Sequence, residues 1–232
     1  MTGQTPSSTS APPLSHDEVG RALAVLGMTA SSELAAFSRL AADAALAPVL
    51  GQRLELSGLA GTALRRLERI GARVRELGGD LETVMAPFSG VLVDFDGRTV
   101  PSTWWERLLK AYVGYGIADD FSRIAAGALD PVTREIVLEV LTDDGHAQLV
   151  VDSLAAAGEQ DPALASRLAL WGRRLVGEAL GVVQRLLADH AEMRDLLGAA
   201  IPSADGAEAQ SRLFATLTAE HTRRMDRLGL TA

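Results

Sequence analysis

The chain of 232 residues contains no cysteine. Disulfides, zinc–thiolate sites, iron–sulfur clusters and thiol nucleophiles are therefore excluded. Histidine is scarce as well, because the chain has only four, so a metal site would depend mainly on carboxylates. Aromatic residues make up 4% of the sequence, and Lys110 is its single lysine. These absences leave carboxylates, arginines and a few imidazoles to carry any chemistry.

Long apolar runs and basic stretches are also missing. No run is long enough to cross a bilayer, which predicts a protein without membrane contact. The net charge of −8 disfavours a general nucleic-acid binder, which would carry a basic face. Residues 1–14 are rich in proline, serine and threonine and lack the basic and apolar regions of a signal peptide. We therefore expect a disordered tail at 1–14, one domain at 15–232 and a cytoplasmic location.

What is present favours helices. Hydrophobic residues make up 47% of the chain, and alanine, leucine, arginine and glutamate are abundant. Apolar residues recur at three- and four-residue spacing, and no stretch alternates as a strand would. The pattern predicts an all-α bundle of long helices joined by short loops. The predicted helices span 17–46, 49–77, 81–95, 104–129, a segment from Asp130 that includes Asp143 and His146, a segment from Asp161, and 208–228.

The stretch LTDDGHAQLV (141–150) suggests a metal site. On a helix, Asp143 and His146 would lie three apart and project from one face together with Val140 and Val150. A carboxylate and a histidine at this spacing on an inward helix face are typical of bundles that hold iron or manganese. The alternative is a core histidine with satisfied hydrogen bonds and an aspartate that caps a frayed turn.

Two further carboxylates fall on apolar helix faces. Glu33 lies in the apolar stripe of the first helix, where an unpaired charge would be costly, so it needs a partner or a metal. The alternative places Glu33 at the edge of a wide stripe. Asp120 shares a face with apolar residues of the fourth predicted helix. Asp119 falls on a more polar face and is predicted to form a surface ion pair with Arg123.

Five segments carry a resemblance to a known family. They are SSELAAFSRLAADA (31–44), ELGGDLETVMAPF (76–88), KAYVGYGIADDF (110–121), LEVLTDDGHAQLVVD (138–152) and LALWGRRLVGEAL (168–180). Over residues 17–230 the chain resembles actinobacterial ferritin-like proteins, which are similar to the tRNA hydroxylase of isopentenylated, methylthiolated adenosine. The resemblance implies a ferritin-like four-helix core with flanking helices and a di-iron carboxylate site. Its implied metal ligands are Glu33, Asp120, Asp143 and His146.

The second helix departs from the family's pattern. Ala63 stands where the resemblance implies a glutamate, and Arg66 stands where it implies a histidine. A guanidinium stays protonated and cannot coordinate a cation, so two irons are not expected to bind. Arg66 is predicted instead to supply positive charge in place of the metal. We expect its guanidinium within salt-bridge distance of Glu33, Asp120 or Asp143.

Two main functional hypotheses follow. The first is a degenerate, non-catalytic binding or assembly module that has no cofactor. The alternative is a metal-dependent oxidoreductase, similar to the tRNA hydroxylase, with one iron or manganese ion held by Glu33, Asp120, Asp143 and His146. The resemblance alone implies tRNA as a partner.

Other features suggest weaker hypotheses. The stripe of Arg65, Arg66, Arg69 and Arg73 allows RNA binding, although a solvated face or ion pairs explain it better. Trp104 and Trp105 are adjacent and cannot both face the core, so one of them is a candidate for a homodimer interface. His221 is predicted to be a cation near the carboxyl end of the last helix, where it would compensate the helix dipole.

Overall fold

A computed structural model describes residues 14–142, 146–203 and 205–232, and at 146 and 147 it describes the backbone alone. The predicted tail, except for Leu14, lies outside these described residues. Within them the chain forms helices and no strand, so the all-α prediction is confirmed. The α-helices are α1 (His16–Leu46), α2 (Leu50–Glu76), α3 (Leu81–Met85), α4 (Val93–Arg98), α5 (Trp104–Leu109), α6 (Gly116–Ala126), α7 (Pro131–Val140), α8 (His146–Gln160), α9 (Pro162–Asp189), α10 (Ala191–Ala200) and α11 (Gly206–Arg227).

Helices α1 and α2 form a long antiparallel pair. A capping box begins α1: the Glu18 N–H donates to Ser15 Oγ, and the Ser15 N–H donates to Glu18 Oε2 at 2.8 Å. The short connection 47–49 brings α2 back along α1, and Gly78, with a φ of 77°, follows the end of α2. Gly27 of α1 lies so close to α3 that an added Cβ would be 2.1 Å from the Val84 carbonyl oxygen.

The predicted helix 104–129 is present as three consecutive pieces. Helix α5 is followed by a π-helical turn, Lys110–Gly114, and then by α6. Thr103 caps α5 by accepting from the Glu106 N–H at 3.2 Å. A π turn within a longer helix is rare and occurs often beside functional sites. Here it directly precedes Gly116 and the two aspartates of α6.

The segment predicted as one helix containing both Asp143 and His146 is broken, and that prediction was wrong. Helix α7 ends at Val140, His146 is the first residue of α8, and Asp143 lies outside the described residues. The intervening sequence Thr142-Asp143-Asp144-Gly145 consists of residues that favour caps and turns over helix interiors.

Two arginines hold the carboxyl end of α7. Arg123 of α6 donates to the Leu141 carbonyl, and Arg66 of α2 donates to the Thr142 carbonyl. Carbonyls at a helix end lack partners within the helix, so these guanidiniums satisfy groups that would otherwise need water.

Helices α9, α10 and α11 complete the bundle. Asp161 caps α9 by accepting from the Ala163 and Leu164 N–H groups, and Pro162 occupies its first turn. The main core brings together buried residues of α1, α2, α6 and α9, including Leu26, Ile70, Ile117 and Leu175. None of the described helices has the length and apolarity that crossing a membrane requires.

Candidate functional site

A cavity of about 660 Å³ lies among α1, α2, α6 and α11. The predicted residues Glu33, Ala63, Arg66 and Asp120 all line it. Asp143 and the side chain of His146, the other two predicted ligands, lie outside the described residues. The ionisable side chains that line the cavity are Glu33, Asp119, Asp120, Glu220, Arg39, Arg66, Arg123, Arg223, Arg224 and Arg227.

Asp120 is held between two guanidiniums. Its Oδ2 accepts from Arg224 Nη2 at 2.7 Å, and its Oδ1 accepts from Arg123 Nη1 at 3.1 Å. The side chains of Asp120 and Arg224 are 10% and 14% exposed, so this pair is largely removed from water. Burial raises the pKa of the Asp120 carboxyl, and the charges of Arg224 and Arg123 oppose that rise. Both carboxylate oxygens are therefore engaged by permanent cations.

Gly116 provides the space for Arg224. A Cβ added at Gly116 would lie 2.6 Å from Arg224 Nε and 2.8 Å from its Cζ. Arg224 Nη2 also donates to the Gly116 carbonyl at 3.0 Å. The guanidinium thus packs directly on the backbone of α6, one turn before the aspartate that it binds.

Arg66 was predicted to form a salt bridge with Glu33, Asp120 or Asp143. Asp143 lies outside the described residues, so its pairing with Arg66 stays a prediction. The Arg66 guanidinium donates to the Thr142 carbonyl, and the ion pairs of Asp120 come from α6 and α11 instead. Its charge still reaches the cavity, because it lowers the pKa of Glu33 against the effect of burial. The Thr142 carbonyl, just beyond the end of α7, is one acceptor for its guanidinium.

Glu33 and Asp119 are poorly hydrated acids. Burial raises the pKa of Glu33 to about 7, although Arg66 and Arg39 lower it. Burial also raises the pKa of Asp119, against the charges of Arg123 and Arg224. Asp119 was predicted to form a surface ion pair with Arg123. That prediction was wrong, because Asp119 lines the cavity and Arg123 binds Asp120.

Arg39 of α1 also lines the cavity. Its guanidinium carbon lies 3.2 Å from the centroid of the Tyr115 ring, a stacked cation–π contact. Tyr115 is fixed in turn by donating its hydroxyl to Asp96. Among the described residues, the Nε and Nη1 of Arg39 and the Nη1 of Arg224 are buried without a hydrogen-bond acceptor.

The two implied metal ligands with described side chains, Glu33 and Asp120, do not by themselves form a metal site. In the part of the chain with described side chains, no three histidine, aspartate or glutamate residues are grouped closely enough to hold a metal ion. Both oxygens of Asp120 accept from arginines, and Glu33 favours its proton near neutral pH. A cation would have to displace these guanidiniums and enter a cavity that already contains several positive charges.

His221 is not the helix-end cation that was predicted. It is 2% exposed and lies within α11, which continues to Arg227. Both ring nitrogens lack a hydrogen-bond partner among the described residues, and burial lowers the pKa of His221 to about 4. The prediction was wrong because His221 faces the core, and its lowered pKa leaves the imidazole neutral at physiological pH.

The arginine stripe of α2 is occupied by other contacts. Arg73 pairs with Asp130 at 3.2 Å and with Glu76 at 3.0 Å, and Arg69 lies 3.8 Å from Glu139. Arg65 donates to the Thr62 hydroxyl at 2.7 Å. These contacts link α2 to α7 and favour the ion-pair explanation of the stripe.

Sequence reasoning missed the roles of Arg39, Arg123 and Arg224 in the cavity. Arg123 could have been found, because it follows Asp120 by three residues and shares its helix face. No local pattern could indicate that Arg224 binds Asp120, because the two residues are 104 positions apart in the sequence. Arg39 lies six residues after Glu33 in the predicted first helix, and nothing in the local pattern distinguishes it from a surface arginine.

Comparison with known proteins agrees with this architecture. Residues 19–200 match the family described as the ferritin-like domain of actinomycetes, a region that runs from α1 to the end of α10. No curated protein sequence matches the chain significantly. The match leaves out α11, which supplies Glu220, Arg223, Arg224 and Arg227 to the cavity. Because the matched region covers most of the sequence, the chain belongs to the ferritin-like domain family of actinomycetes.

Proposed function

We propose that this protein is a non-catalytic, ferritin-like binding module whose central cavity takes an anionic ligand. The observation that carries the proposal is the state of Asp120, whose two oxygens accept from Arg224 and Arg123. In the di-iron proteins that the chain resembles, a carboxylate at this position is a metal ligand. Here its charge is balanced by arginine, so the cavity has no need of a metal for neutrality.

The charge balance of the cavity favours an anion. Among the described lining residues, six arginines stand against four acids, and Glu33 is partly protonated near neutral pH. The described part of the lining therefore carries net positive charge although the whole chain is acidic. Guanidiniums bind carboxylates and phosphates through paired, charge-assisted hydrogen bonds.

Unused donors add a second reason. A buried N–H without an acceptor costs free energy, and the described part of the chain leaves three such groups on Arg39 and Arg224. An anion that accepts from them would relieve this cost while gaining a charge-assisted bond. Arg39 is stacked on Tyr115, so its guanidinium plane is already oriented before any ligand arrives.

The test combines elemental analysis with anion titration of the purified protein. We expect iron, manganese and zinc well below one equivalent, and a rise in the thermal midpoint with organic carboxylates or phosphates, because a ligand of the folded state stabilises by mass action. Arg39→Gln and Arg224→Gln should each reduce the rise. Arg185→Gln is the matched control, since it removes a half-buried arginine of α9 outside the cavity lining.

The competing function is the metal-dependent oxidoreductase with iron or manganese at Glu33, Asp120, Asp143 and His146. One equivalent of bound metal, together with a midpoint that falls on chelation and ignores anions, would establish it in place of the binding module. The bonds from Arg224 and Arg123 to Asp120 weigh against that outcome. A tRNA partner rests on the resemblance alone, and the ion-paired arginines of α2 add no support for it.

A further inference from the structure

A second cavity lies beside the first, with a different character. Its volume is about 900 Å³, within the rough range of 300–1,000 Å³ that is usual for ligand pockets. Residues of α1, α6 and α9 and of the segment around α3 form its walls. Large apolar side chains dominate the lining, among them Met28, Met85, Phe88, Phe121, Val183 and Leu186. Its charged lining residues, Asp80 and Glu82, both come from the start of α3.

The two cavities adjoin at two small residues. Ser32 of α1 and Ala118 of α6 line both of them. Each small residue directly precedes an acid of the first cavity, Glu33 on α1 and Asp119 on α6. The partition between the arginine-lined cavity and the apolar cavity is therefore formed where neither helix presents a bulky side chain.

We infer that the ligand is an amphipathic anion, with a carboxylate or phosphate head at Arg39 and Arg224 and an apolar body in the second cavity. This inference rests on the proposed function, because it takes the first cavity as the anion site. The head would accept from the guanidiniums of Arg39 and Arg224, both of which line the first cavity. The body would pass Ser32 and Ala118 and contact the apolar lining beyond them.

Chain length should control affinity. Each methylene removed from water into an apolar cavity strengthens binding about fourfold, until the cavity is full. A short anion such as acetate should bind weakly to the arginines alone. An uncharged alcohol of the same length as a good ligand should lose the contribution of the guanidiniums. Both parts of the molecule are then required for tight binding.

The experiment is a calorimetric titration of the full chain with acetate, hexanoate, octanoate, decanoate, decyl phosphate and decanol. We expect affinity to rise with chain length among the carboxylates, and decanol to bind at least tenfold more weakly than decanoate. Comparing decanoate with decyl phosphate identifies the preferred head. Arg39→Gln should weaken decanoate at least tenfold and leave decanol unchanged, whereas Arg185→Gln should alter neither.

Variants of the partition test the passage between the cavities. Ala118→Leu and Ser32→Leu should weaken decanoate at least tenfold while leaving the response to acetate as in the wild type. Ala155→Leu, a half-buried helical alanine of α8 outside both linings, is the matched control. Circular dichroism verifies that each variant folds, and Ala118→Val makes a smaller obstruction if the leucine is not tolerated.

The outcomes separate this inference from the proposed function. If decanoate and decanol bind equally and Arg39→Gln changes neither, or if no anion binds at all, the anion site itself is wrong. If anions bind through Arg39 but affinity is independent of chain length, the proposed function stands and the amphipathic ligand is refuted. Equal loss in Ala118→Leu and Ala155→Leu would likewise refute the passage at Ala118.

Discussion

The two cavities lie against the same pair of helices, α1 and α6, yet they differ completely in chemistry. One is lined by ten ionisable side chains, and the other is almost entirely apolar. Neighbouring residues serve different cavities: Asp120 lines the first, and Phe121 and Ser122 line the second. The contrast shows that the ferritin-like frame fixes where space exists, while single positions decide what that space can hold.

The largest expected effect breaks the polar cavity at Asp120. Asp120→Ala strands Arg224 and Arg123 without their acceptor, and removing one partner of a buried ion pair costs about 3–5 kcal/mol. Ser122→Ala, two residues later in the apolar cavity, should cost less than about 1 kcal/mol. Urea unfolding followed by circular dichroism measures both. Equal losses at the two positions would mean that the ion pairs of Asp120 do not stabilise the fold.

The next effect is the pH dependence contributed by Glu33. Its pKa of about 7 in the folded state exceeds the ordinary value of 4.5, so the folded protein binds more protons between these values. Glu33 therefore contributes stability at low pH that is lost as the pH rises through about 7. The free energy of unfolding of Glu33→Gln, relative to that of the wild type, should therefore rise by about 2–3 kcal/mol between pH 5 and pH 8. Ser32→Ala, its neighbour at the partition, should show no such gain.

Unfolding titrations at several pH values test this expectation. If the difference in free energy of unfolding between wild type and Glu33→Gln stays constant from pH 5 to pH 8, the raised pKa of Glu33 is contradicted. A difference of opposite slope would mean that Arg66 and Arg39 outweigh the burial of Glu33.

His221 should give a pH effect of opposite sign. Its pKa of about 4 lies below the ordinary 6.5, so the unfolded chain binds more protons in that window. The stability that depends on neutral His221 is present above pH 6.5 and is lost as the pH falls towards 4. Between pH 7 and pH 5 the free energy of unfolding should therefore fall by about 2 kcal/mol less in His221→Leu than in the wild type. Exposed His16→Leu is the control, and matching profiles for the two variants would argue against a buried, neutral His221.

The smallest effect concerns Arg66. Its hydrogen bond to the Thr142 carbonyl at the end of α7 is worth about 1 kcal/mol, a typical net value, so Arg66→Met should cost at least that much. Hydrogen exchange should show faster opening at 139–142 in this variant than in Arg65→Met, whose arginine binds Thr62 within α2. A loss as large as that of Asp120→Ala would place Arg66, rather than Arg224, at the centre of the charge balance.

The contrast between the cavities also shows what sequence can predict. The stripe of Val113, Ile117 and Ile124 identified Asp120 as a buried acid, because a charge among apolar residues stands out from the helical period. The apolar cavity gave no such anomaly. Its lining consists of ordinary core residues, and a void depends on how helices pack rather than on the period of one helix.

Long-range partners and helix breaks were equally hidden. Arg224 reaches Asp120 from the last helix, and only tertiary packing brings them together. The helical period continues across 141–150, with Val140 and Val150 both buried, so it concealed the break between α7 and α8. The sequence Asp-Asp-Gly was the available sign, because these residues favour turns over helix interiors.

Asp120 between Arg224 and Arg123 has a consequence for the making of the protein. The cations that balance this carboxylate are covalent parts of the chain and stay protonated at every physiological pH. Because both arginines are synthesised as part of the chain, every molecule contains them and no separate step inserts their charges. Neutralising the Asp120 carboxylate therefore draws nothing from the cell's metal supply.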